Sequence, residues 1–201
     1  NSSPLTSPVL AYLFPGQGSQ FVGMGADRAL SFPEAKAVFD EADATLGFSL
    51  TSLMFGSAED AEMRLTETEY TQPALYTHSL AAFAILEARG QHPAVTAGHS
   101  LGEYSALAAA GAFSFTDGLR VVRRRSELMA EAGAGTMVAV LGLEDAAVEQ
   151  ICTDVSAAGD GVVVPANYNA PGQVVVSGDV AAVERAMDAF SEASAKRVLP
   201  L

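Results

Sequence analysis

The sequence predicts a mixed α/β protein built in two parts. Over residues 1–135, apolar runs with the length of buried strands alternate with segments that have helical spacing of apolar residues. After residue 136 the predicted order changes to strand, helix, strand, strand, helix, strand. Gly133-Ala134-Gly135 separates the two patterns and breaks the preceding helix. We therefore expect a larger α/β part over residues 1–135 and a small part over residues 136–201.

The larger part combines two strands with several helices. An apolar run over residues 9–14 predicts a buried strand, which ends in the loop-forming sequence Pro15-Gly16-Gln17-Gly18. Pro73 fits the first position of a helix with Thr71 as its cap. The predicted helices cover residues 33–46, 72–88, 103–110 and a segment from a cap at Thr116-Asp117 to about 132, and a second strand covers residues 94–97.

The small part has the βαββαβ order of a ferredoxin-like subdomain. Its predicted strands cover residues 137–143, 162–167, 173–177 and 196–199, and its predicted helices cover residues 144–157 and 180–193.

Composition and charge restrict the function. The 201 residues are 49% hydrophobic and 17% charged, as in globular proteins. The apolar stretches are shorter than the roughly 20 residues that span a bilayer, and residues 1–8 lack the features of a signal peptide. Cys152 is the single cysteine, so it has no disulfide partner and no second thiol for a zinc site. A net charge of -13 disfavours binding to nucleic acid phosphates. We expect a cytoplasmic protein that binds no membrane, nucleic acid or metal.

The sequence Gly98-His99-Ser100-Leu101-Gly102 lies between a predicted strand and an alanine-rich helix. Its glycines allow the sharp turn of a nucleophile elbow, which exposes the serine at the helix N-terminus. Ser100 is therefore the candidate nucleophile, and the alternative is a serine in an ordinary glycine-flanked turn. The unpaired backbone amide of Leu101 would stabilise an oxyanion beside it. An elbow in this position predicts that the larger part is α/β hydrolase-like.

The glycine-rich loop after the first strand is the candidate for the second half of an oxyanion hole. Gln17 would supply its backbone amide. The alternative is a dinucleotide-binding fingerprint, which is disfavoured because Phe21 stands where the third glycine is required.

Arg125 is the candidate for binding an anionic substrate. At about 100° per residue it shares a helix face with apolar residues, whereas Arg123 and Arg124 turn toward Glu127. A guanidinium on such a face needs an anion, which is either an internal Asp or Glu or a substrate carboxylate bound in a bidentate manner. The apolar neighbours on this face are Val121, Val122, Leu128 and Met129.

A serine nucleophile needs a base, usually histidine, and the three histidines fit this role poorly. His99 is expected to project away from Ser100 at a tight turn. His78 lies within a predicted helix, and His92 lies in a loop before the second strand. We expect structural or surface roles for His78 and His92.

Four motifs follow one another along the chain: Phe14-Pro15-Gly16-Gln17-Gly18-Ser19-Gln20, Thr71-Gln72-Pro73-Ala74, Gly98-His99-Ser100-Leu101-Gly102-Glu103-Tyr104 and Asn167-Tyr168-Asn169-Ala170-Pro171-Gly172-Gln173. Together they resemble the malonyl-CoA:acyl carrier protein transacylases over residues 10–201. The resemblance implies that Ser100 takes malonyl from malonyl-CoA as an ester and passes it to the phosphopantetheine thiol of acyl carrier protein. It also implies a role in fatty acid biosynthesis without a cofactor.

The resemblance implies further roles for single residues. Arg125 falls on the arginine that binds the malonyl carboxylate, and Gln17 and Leu101 fall on the oxyanion-hole amides. The family's catalytic histidine follows the segment over residues 195–201, so the sequence resembles the N-terminal part of a longer enzyme and is expected to have low activity alone. Supporting positions in the substrate pocket fall on Gln72, His99, Asn167 and Asn169.

Three other functions remain open at this point. A polyketide synthase acyltransferase domain shares the chemistry and can select methylmalonyl. A serine hydrolase of neutral esters has no use for an inward-facing Arg125. A carrier-protein binding module without catalysis is the third alternative.

Overall fold

The computed structural model describes residues 10–132 and 135–201. They form two compact units, of which the first ends at Glu131 and the second begins at Ala132. Val9, from a predicted strand, and Gly133-Ala134, from the predicted helix break, lie outside the described residues. The mixed α/β class predicted from the sequence is confirmed. No helix in the described ranges is long and apolar enough to cross a bilayer.

The first unit joins a short parallel sheet to a group of helices. Strand β1 pairs with β2 so that Phe14 lies opposite Gly98. Because the strands are parallel, the loops that follow them leave from the same edge of the sheet. The elements in chain order are β1 Ala11–Phe14, α1 Ala26–Ser31, α2 Pro33–Leu46, α3 Leu50–Phe55, α4 Ala61–Arg64, α5 Thr68–Glu87, β2 Val95–Gly98, α6 Gly102–Ala109 and α7 Phe115–Glu131.

The core of the first unit is mainly helical. Phe39 of α2 and Tyr76 of α5 are fully buried in it. Tyr76 stacks on Phe115 of α7 with ring centroids 5.6 Å apart, and its hydroxyl donates to the Phe115 carbonyl at 3.2 Å. Burial raises the pKa of this phenol, which therefore stays neutral. This packing holds α5 against α7, the two helices that carry Gln72 and Arg125.

Helix α5 begins earlier than the sequence predicts. The expected start at Pro73 with Thr71 as the cap is wrong, because the helix begins at Thr68 and Pro73 lies inside it. Thr71 is fully buried, and its hydroxyl lies 2.6 Å from the carbonyl oxygen of Leu65 and 2.9 Å from that of Glu67. Its side chain therefore closes the preceding turn of the chain.

Pro73 is tolerated inside α5 because α7 replaces the hydrogen bond that proline removes. Proline has no N–H to donate to the carbonyl four residues earlier, which here belongs to Glu69. Arg123 Nη1 and Ser126 Oγ of α7 each lie 3.1 Å from this carbonyl oxygen. Ser126 is fully buried. The Glu69 carbonyl of α5, which proline leaves without a donor in its own helix, thus binds α7 and holds the two helices together.

Other differences from the prediction concern the ends of elements. The cap of α7 is Ser114, whose Oγ accepts the Asp117 N–H at 3.1 Å, so the predicted cap at Thr116-Asp117 is wrong. The sequence prediction lacks α1, α3 and α4, since segments of four to six residues are too short to show a helical period.

The second unit is a four-stranded antiparallel sheet with two helices. The strand order is β4-β5-β3-β6. Valines of β3 and β5 share one core with Phe190 and other side chains of the two helices. The elements follow the predicted order, and their ends differ from the predicted ones by three residues or fewer. They are β3 Gly135–Leu141, α8 Asp145–Ala158, β4 Val163–Ala170, β5 Gln173–Asp179, α9 Val180–Glu192 and β6 Arg197–Pro200.

Candidate active site

The turn between β2 and α6 holds the half-buried Ser100 in a constrained backbone conformation. Its φ is +52°, a left-handed value that residues other than glycine seldom adopt. A Cβ atom on Gly98 would lie 2.0 Å from the Gly102 carbonyl oxygen, and one on Gly102 would lie 2.2 Å from the carbonyl oxygen of Phe14. Both flanking glycines are therefore required by the close approach of three backbone segments.

The loop after β1 lies directly against this turn. A Cβ atom on Gly16 would approach the carbonyl oxygen of His99 to 2.9 Å. The loop is closed internally, since the Gly18 N–H donates to Gln20 Oε1 at 2.8 Å and Ser19 Oγ donates to the Gly16 carbonyl at 3.1 Å. The parallel pairing of β1 and β2 thus brings the glycine-rich loop to the serine.

The two backbone amides predicted for an oxyanion hole belong to these adjacent segments. Within residues 10–132 and 135–201, the N–H groups of Gln17 and Leu101 donate to no protein acceptor. The side chain of Leu101 is buried in the core, which anchors the residue beside Ser100. Both amides therefore remain available to an acceptor outside the chain.

The side chain of Arg125, on α7, hydrogen-bonds to Ser100. Its Nη2 donates to Ser100 Oγ at 3.1 Å, and its Nη1 donates to Gln72 Oε1. The guanidinium carbon lies 5.6 Å from the centre of the Tyr104 ring. Among the residues that the structure describes, no carboxylate lies within ion-pair distance of Arg125. One of the two predicted partners of Arg125, an internal Asp or Glu, is therefore not found among these residues.

The apolar face predicted around Arg125 is only partly correct. Val122 is fully buried, but Val121 and Leu128 are about half exposed, at 50% and 49%. The packed side of α7 is instead formed by residues such as Leu119, Val122 and Ser126, which follow one another at intervals of about one turn. The inward direction of Arg125 comes from its hydrogen bonds to polar groups and not from an apolar surrounding.

The neighbouring arginines behave as the helical geometry predicts. Arg123 Nε donates to Glu127 Oε1 at 2.7 Å, and Arg124 Nη1 donates to Glu127 Oε2 at 3.4 Å. Arg123 also pairs with Glu69 through Nη2 at 2.6 Å. Of these three consecutive arginines, Arg125 alone is directed at the serine.

Gln72 connects Arg125 to a residue that the sequence analysis missed. Its side chain is fully buried, and its Nε2 donates to Thr68 Oγ1 at 2.8 Å and to Met129 Sδ at 3.2 Å. Thr68 Oγ1 in turn donates to Gln17 Oε1 at 3.2 Å. Thr68 stands one helical turn before Gln72, so a correct start for α5 would have indicated it.

The comparisons with known proteins agree with this geometry. The family model described as an acyl transferase domain matches residues 11–199. The chain belongs to the acyl transferase domain family. The family resemblance carried by the four sequence motifs is thereby confirmed.

Named relatives of this acyl transferase chain are malonyl transacylases. It is 50% identical over 196 residues to the malonyl CoA-acyl carrier protein transacylase of Bacillus subtilis (strain 168), covering 96% of this chain and 60% of the relative. A crystal structure of an acyl carrier protein S-malonyltransferase from Vibrio cholerae has a TM-score of 0.86 and 45% identity, covering 96% of this chain and 63% of that chain. A malonyl-transacylase in complex with its type II PKS acyl-carrier protein has a TM-score of 0.83 and 43% identity, covering 96% and 62%. The acyl transferase chain thus spans about 60% of the length of the relatives it matches.

His78 and His92 of the acyl transferase chain lie in different surroundings. Burial and the nearby Arg28 lower the pKa of His78, whose Nε2 accepts from Arg28 Nη1 at 3.2 Å. His92 is exposed in the loop before β2. Within the part of the chain that the structure describes, neither His78 nor His92 hydrogen-bonds to Ser100 Oγ. The structural and surface roles predicted for His78 and His92 agree with these positions.

The remaining predicted site residues lie in the second unit of the acyl transferase chain. Asn167 and Asn169 belong to β4, and Asn167 pairs with Val175 of β5 at a register shift. Among the described residues no three His, Cys, Asp or Glu side chains are grouped to hold a metal ion. The pocket role of the two asparagines and the absence of a cofactor stay predictions.

Proposed function

We propose that this acyl transferase moves a malonyl group from malonyl-CoA to the phosphopantetheine thiol of an acyl carrier protein, for fatty acid biosynthesis. The observation that carries this proposal is Arg125, a cation bound to the candidate nucleophile and lacking a carboxylate partner in the described residues. A guanidinium fork matches a carboxylate in bidentate geometry. The free carboxylate of malonyl-CoA supplies that missing partner.

Ser100 is the proposed nucleophile, and the turn that carries it is the proposed nucleophile elbow. Its Oγ attacks the thioester carbonyl of malonyl-CoA and gives its proton to a base. The coenzyme A sulfur then leaves and takes up a proton, so that a malonyl ester remains on Ser100. In the second half, the carrier thiol attacks this ester, its sulfur forms the new thioester, and the serine hydroxyl is restored.

The amides of Gln17 and Leu101 are the proposed oxyanion donors. They lie on adjacent segments and have no protein acceptor among the described residues, which suits them to the negative oxygen of each tetrahedral intermediate. The base that takes the Ser100 proton is proposed to be the family histidine that follows residues 195–201. Ser100 Oγ accepts from Arg125, which leaves its own proton available for transfer.

Polar side chains are proposed to hold the acyl group. Gln72 is proposed to orient Arg125, since its Oε1 accepts from the guanidinium and its side chain is fully buried. His99, Asn167 and Asn169 are proposed as further pocket residues, on the strength of the family resemblance.

Two subdomains are proposed. Residues 1–135 would be the N-terminal part of a larger α/β hydrolase-like acyltransferase subdomain, supported by the strand, turn and helix around Ser100. Residues 136–201 would be a ferredoxin-like subdomain, supported by the antiparallel sheet order β4-β5-β3-β6.

The proposed partners are malonyl-CoA as substrate and an acyl carrier protein as acceptor, with no further cofactor. The net charge of -13 supports a protein that does not bind nucleic acid. The proposed location is the cytoplasm, where the protein would encounter malonyl-CoA and the acyl carrier protein. A polyketide carrier is a second candidate acceptor, because a similar solved structure is a malonyl-transacylase with its type II PKS carrier.

The experiment compares the protein extended to the full length of its curated relatives with its Ser100→Ala variant. Malonyl-CoA is added first, and holo acyl carrier protein is added after removal of the excess. We expect malonate to stay on the unmodified protein until the carrier thiol arrives and then to appear on the carrier. Release of free malonate before the thiol arrives would indicate a serine hydrolase, and binding of the carrier without any transfer would indicate a binding module. Labelling that persists in Ser100→Ala would contradict the assigned nucleophile.

A further inference from the structure

A directed chain of hydrogen bonds links the candidate carboxylate-binding arginine to the glycine-rich loop. Arginine can only donate, so Arg125 Nη1 fixes Gln72 Oε1 as the acceptor end of that amide. Gln72 Nε2 must therefore be the donor to Thr68 Oγ1, at 2.8 Å. The single proton of Thr68 Oγ1 is then free to bond to Gln17 Oε1, at 3.2 Å. The direction of the first two bonds is thus determined by Arg125, and the third bond runs from Thr68 to Gln17.

Thr68 is the middle of this chain and stands at a structural junction. It is the first residue of α5, whereas Gln17 lies in the loop after β1. The two are 51 residues apart in sequence, so this bond ties the loop to the helix that carries Gln72. The loop itself is closed by internal bonds from Gly18 and Ser19. An internally closed loop moves as a unit, and a tether at Gln17 therefore restrains all of it.

We propose that Thr68 is a positioning residue, whose hydroxyl holds the Gln17 loop at the serine in register with the Gln72 and Arg125 pair. The proposal rests on the function proposed above. Thr68 contacts no reacting atom. It acts by keeping the Gln17 amide where the oxyanion forms, so it is expected to affect the transition state more than the binding of malonyl-CoA.

The test uses Thr68→Val, which keeps the shape and removes the hydroxyl, and Thr68→Ser, which keeps the hydroxyl. Thr66→Val is the matched control, because the Thr66 hydroxyl donates to the local Met63 carbonyl, at 2.6 Å. Gln17→Met removes the other end of the same bond at an exposed position, so it tests the tether without disturbing a helix start.

The first measurement is backbone amide relaxation of the loop by NMR in the 201-residue chain, which needs no substrate. We expect the order parameters of residues 16–20 to fall from about 0.85 toward about 0.6 in Thr68→Val and in Gln17→Met. Thr68→Ser and Thr66→Val should match the unmodified chain. A loop that is equally ordered in Thr68→Val, or already mobile in the unmodified chain, would overturn the proposal.

The second measurement is malonyl transfer by the protein extended to the full length of its relatives. Loss of one hydrogen bond predicts a fall in kcat of about 3- to 10-fold in Thr68→Val, with KM changed by less than about twofold. The double variant with Gln17→Met should be no slower than either single variant, since both remove one bond. Equal losses in Thr68→Val and Thr68→Ser would show that packing and not the hydroxyl matters, which would refute the proposal. If the unmodified protein transfers no malonyl, the proposed function fails, and the relaxation data alone judge the tether.

Discussion

Arg125 offers the sharpest test of substrate choice. Arg125→Met keeps a similar length of side chain but removes the bonds to Ser100 and Gln72 and the site for a substrate carboxylate. A charge-assisted bond contributes about 1.5 to 3 kcal/mol, and a bidentate pair in a partly buried site contributes about 2 to 4 kcal/mol. We therefore expect kcat/KM for malonyl-CoA to fall about 30- to 1000-fold.

Acetyl-CoA provides the comparison because it has the same thioester without the carboxylate. Its transfer should change far less in Arg125→Met, so that the ratio of malonyl to acetyl transfer collapses. Both rates are measured on one preparation of the protein extended to the full length of its relatives. Their ratio therefore cancels errors in the active fraction. Arg125→Lys keeps the charge but loses the fork, and its ratio should lie between those of the other two proteins.

One result would contradict this reasoning about Arg125. If both acyl groups were transferred more slowly by the same factor, with an unchanged circular dichroism spectrum, Arg125 would support the site without recognising the substrate. The malonyl assignment would then lose the observation that carries it.

Three further predictions concern stability and reactivity. Arg123→Met should lower the free energy of unfolding by about 1 to 3 kcal/mol in urea titrations, because it removes one of the two donors to the Glu69 carbonyl and the ion pairs with Glu69 and Glu127. The exposed Arg124→Met should change it by about 0.5 kcal/mol or less, and equal losses would contradict the role of Arg123 between α5 and α7. Burial lowers the pKa of His78, so below pH 6.5 the unfolded chain takes up this proton before the folded chain does and stability falls. His78→Gln should reduce the dependence of the urea midpoint on pH between about pH 7.5 and 5. An unchanged pH dependence would refute the assignment to His78. Burial raises the pKa of Cys152 to about 11, so alkylation at neutral pH should await unfolding, and rapid labelling of the folded chain would contradict its burial.

Local sequence patterns predicted the parts of the site that depend on backbone geometry. The turn at Ser100 could be predicted because only glycines at positions 98 and 102 permit the observed approach of the chain. The order of strands and helices in the second unit could be predicted because short apolar runs, rich in valine in β3, β4 and β5, mark its strands. These features are encoded within a few neighbouring residues.

Features that depend on contacts between distant segments could not be predicted. Pro73 marked a helix start by local rules, but α7 supplies the missing partner for Glu69 from 54 residues away. The wrong start concealed Thr68, which would otherwise have been found one turn before Gln72. The short helices α1, α3 and α4 carry too few residues for a period to appear.

Locating the malonyl group on the chain tests most directly whether Ser100 is the residue that carries it. The protein extended to the full length of its relatives is incubated with malonyl-CoA, quenched in acid and digested, and its peptides are sequenced by tandem mass spectrometry. We expect one malonyl ester, on Ser100, which disappears when holo acyl carrier protein is added before the quench. A malonyl group on another residue, such as Ser19 of the adjacent loop, or a group on Ser100 that the carrier thiol does not remove, would contradict it.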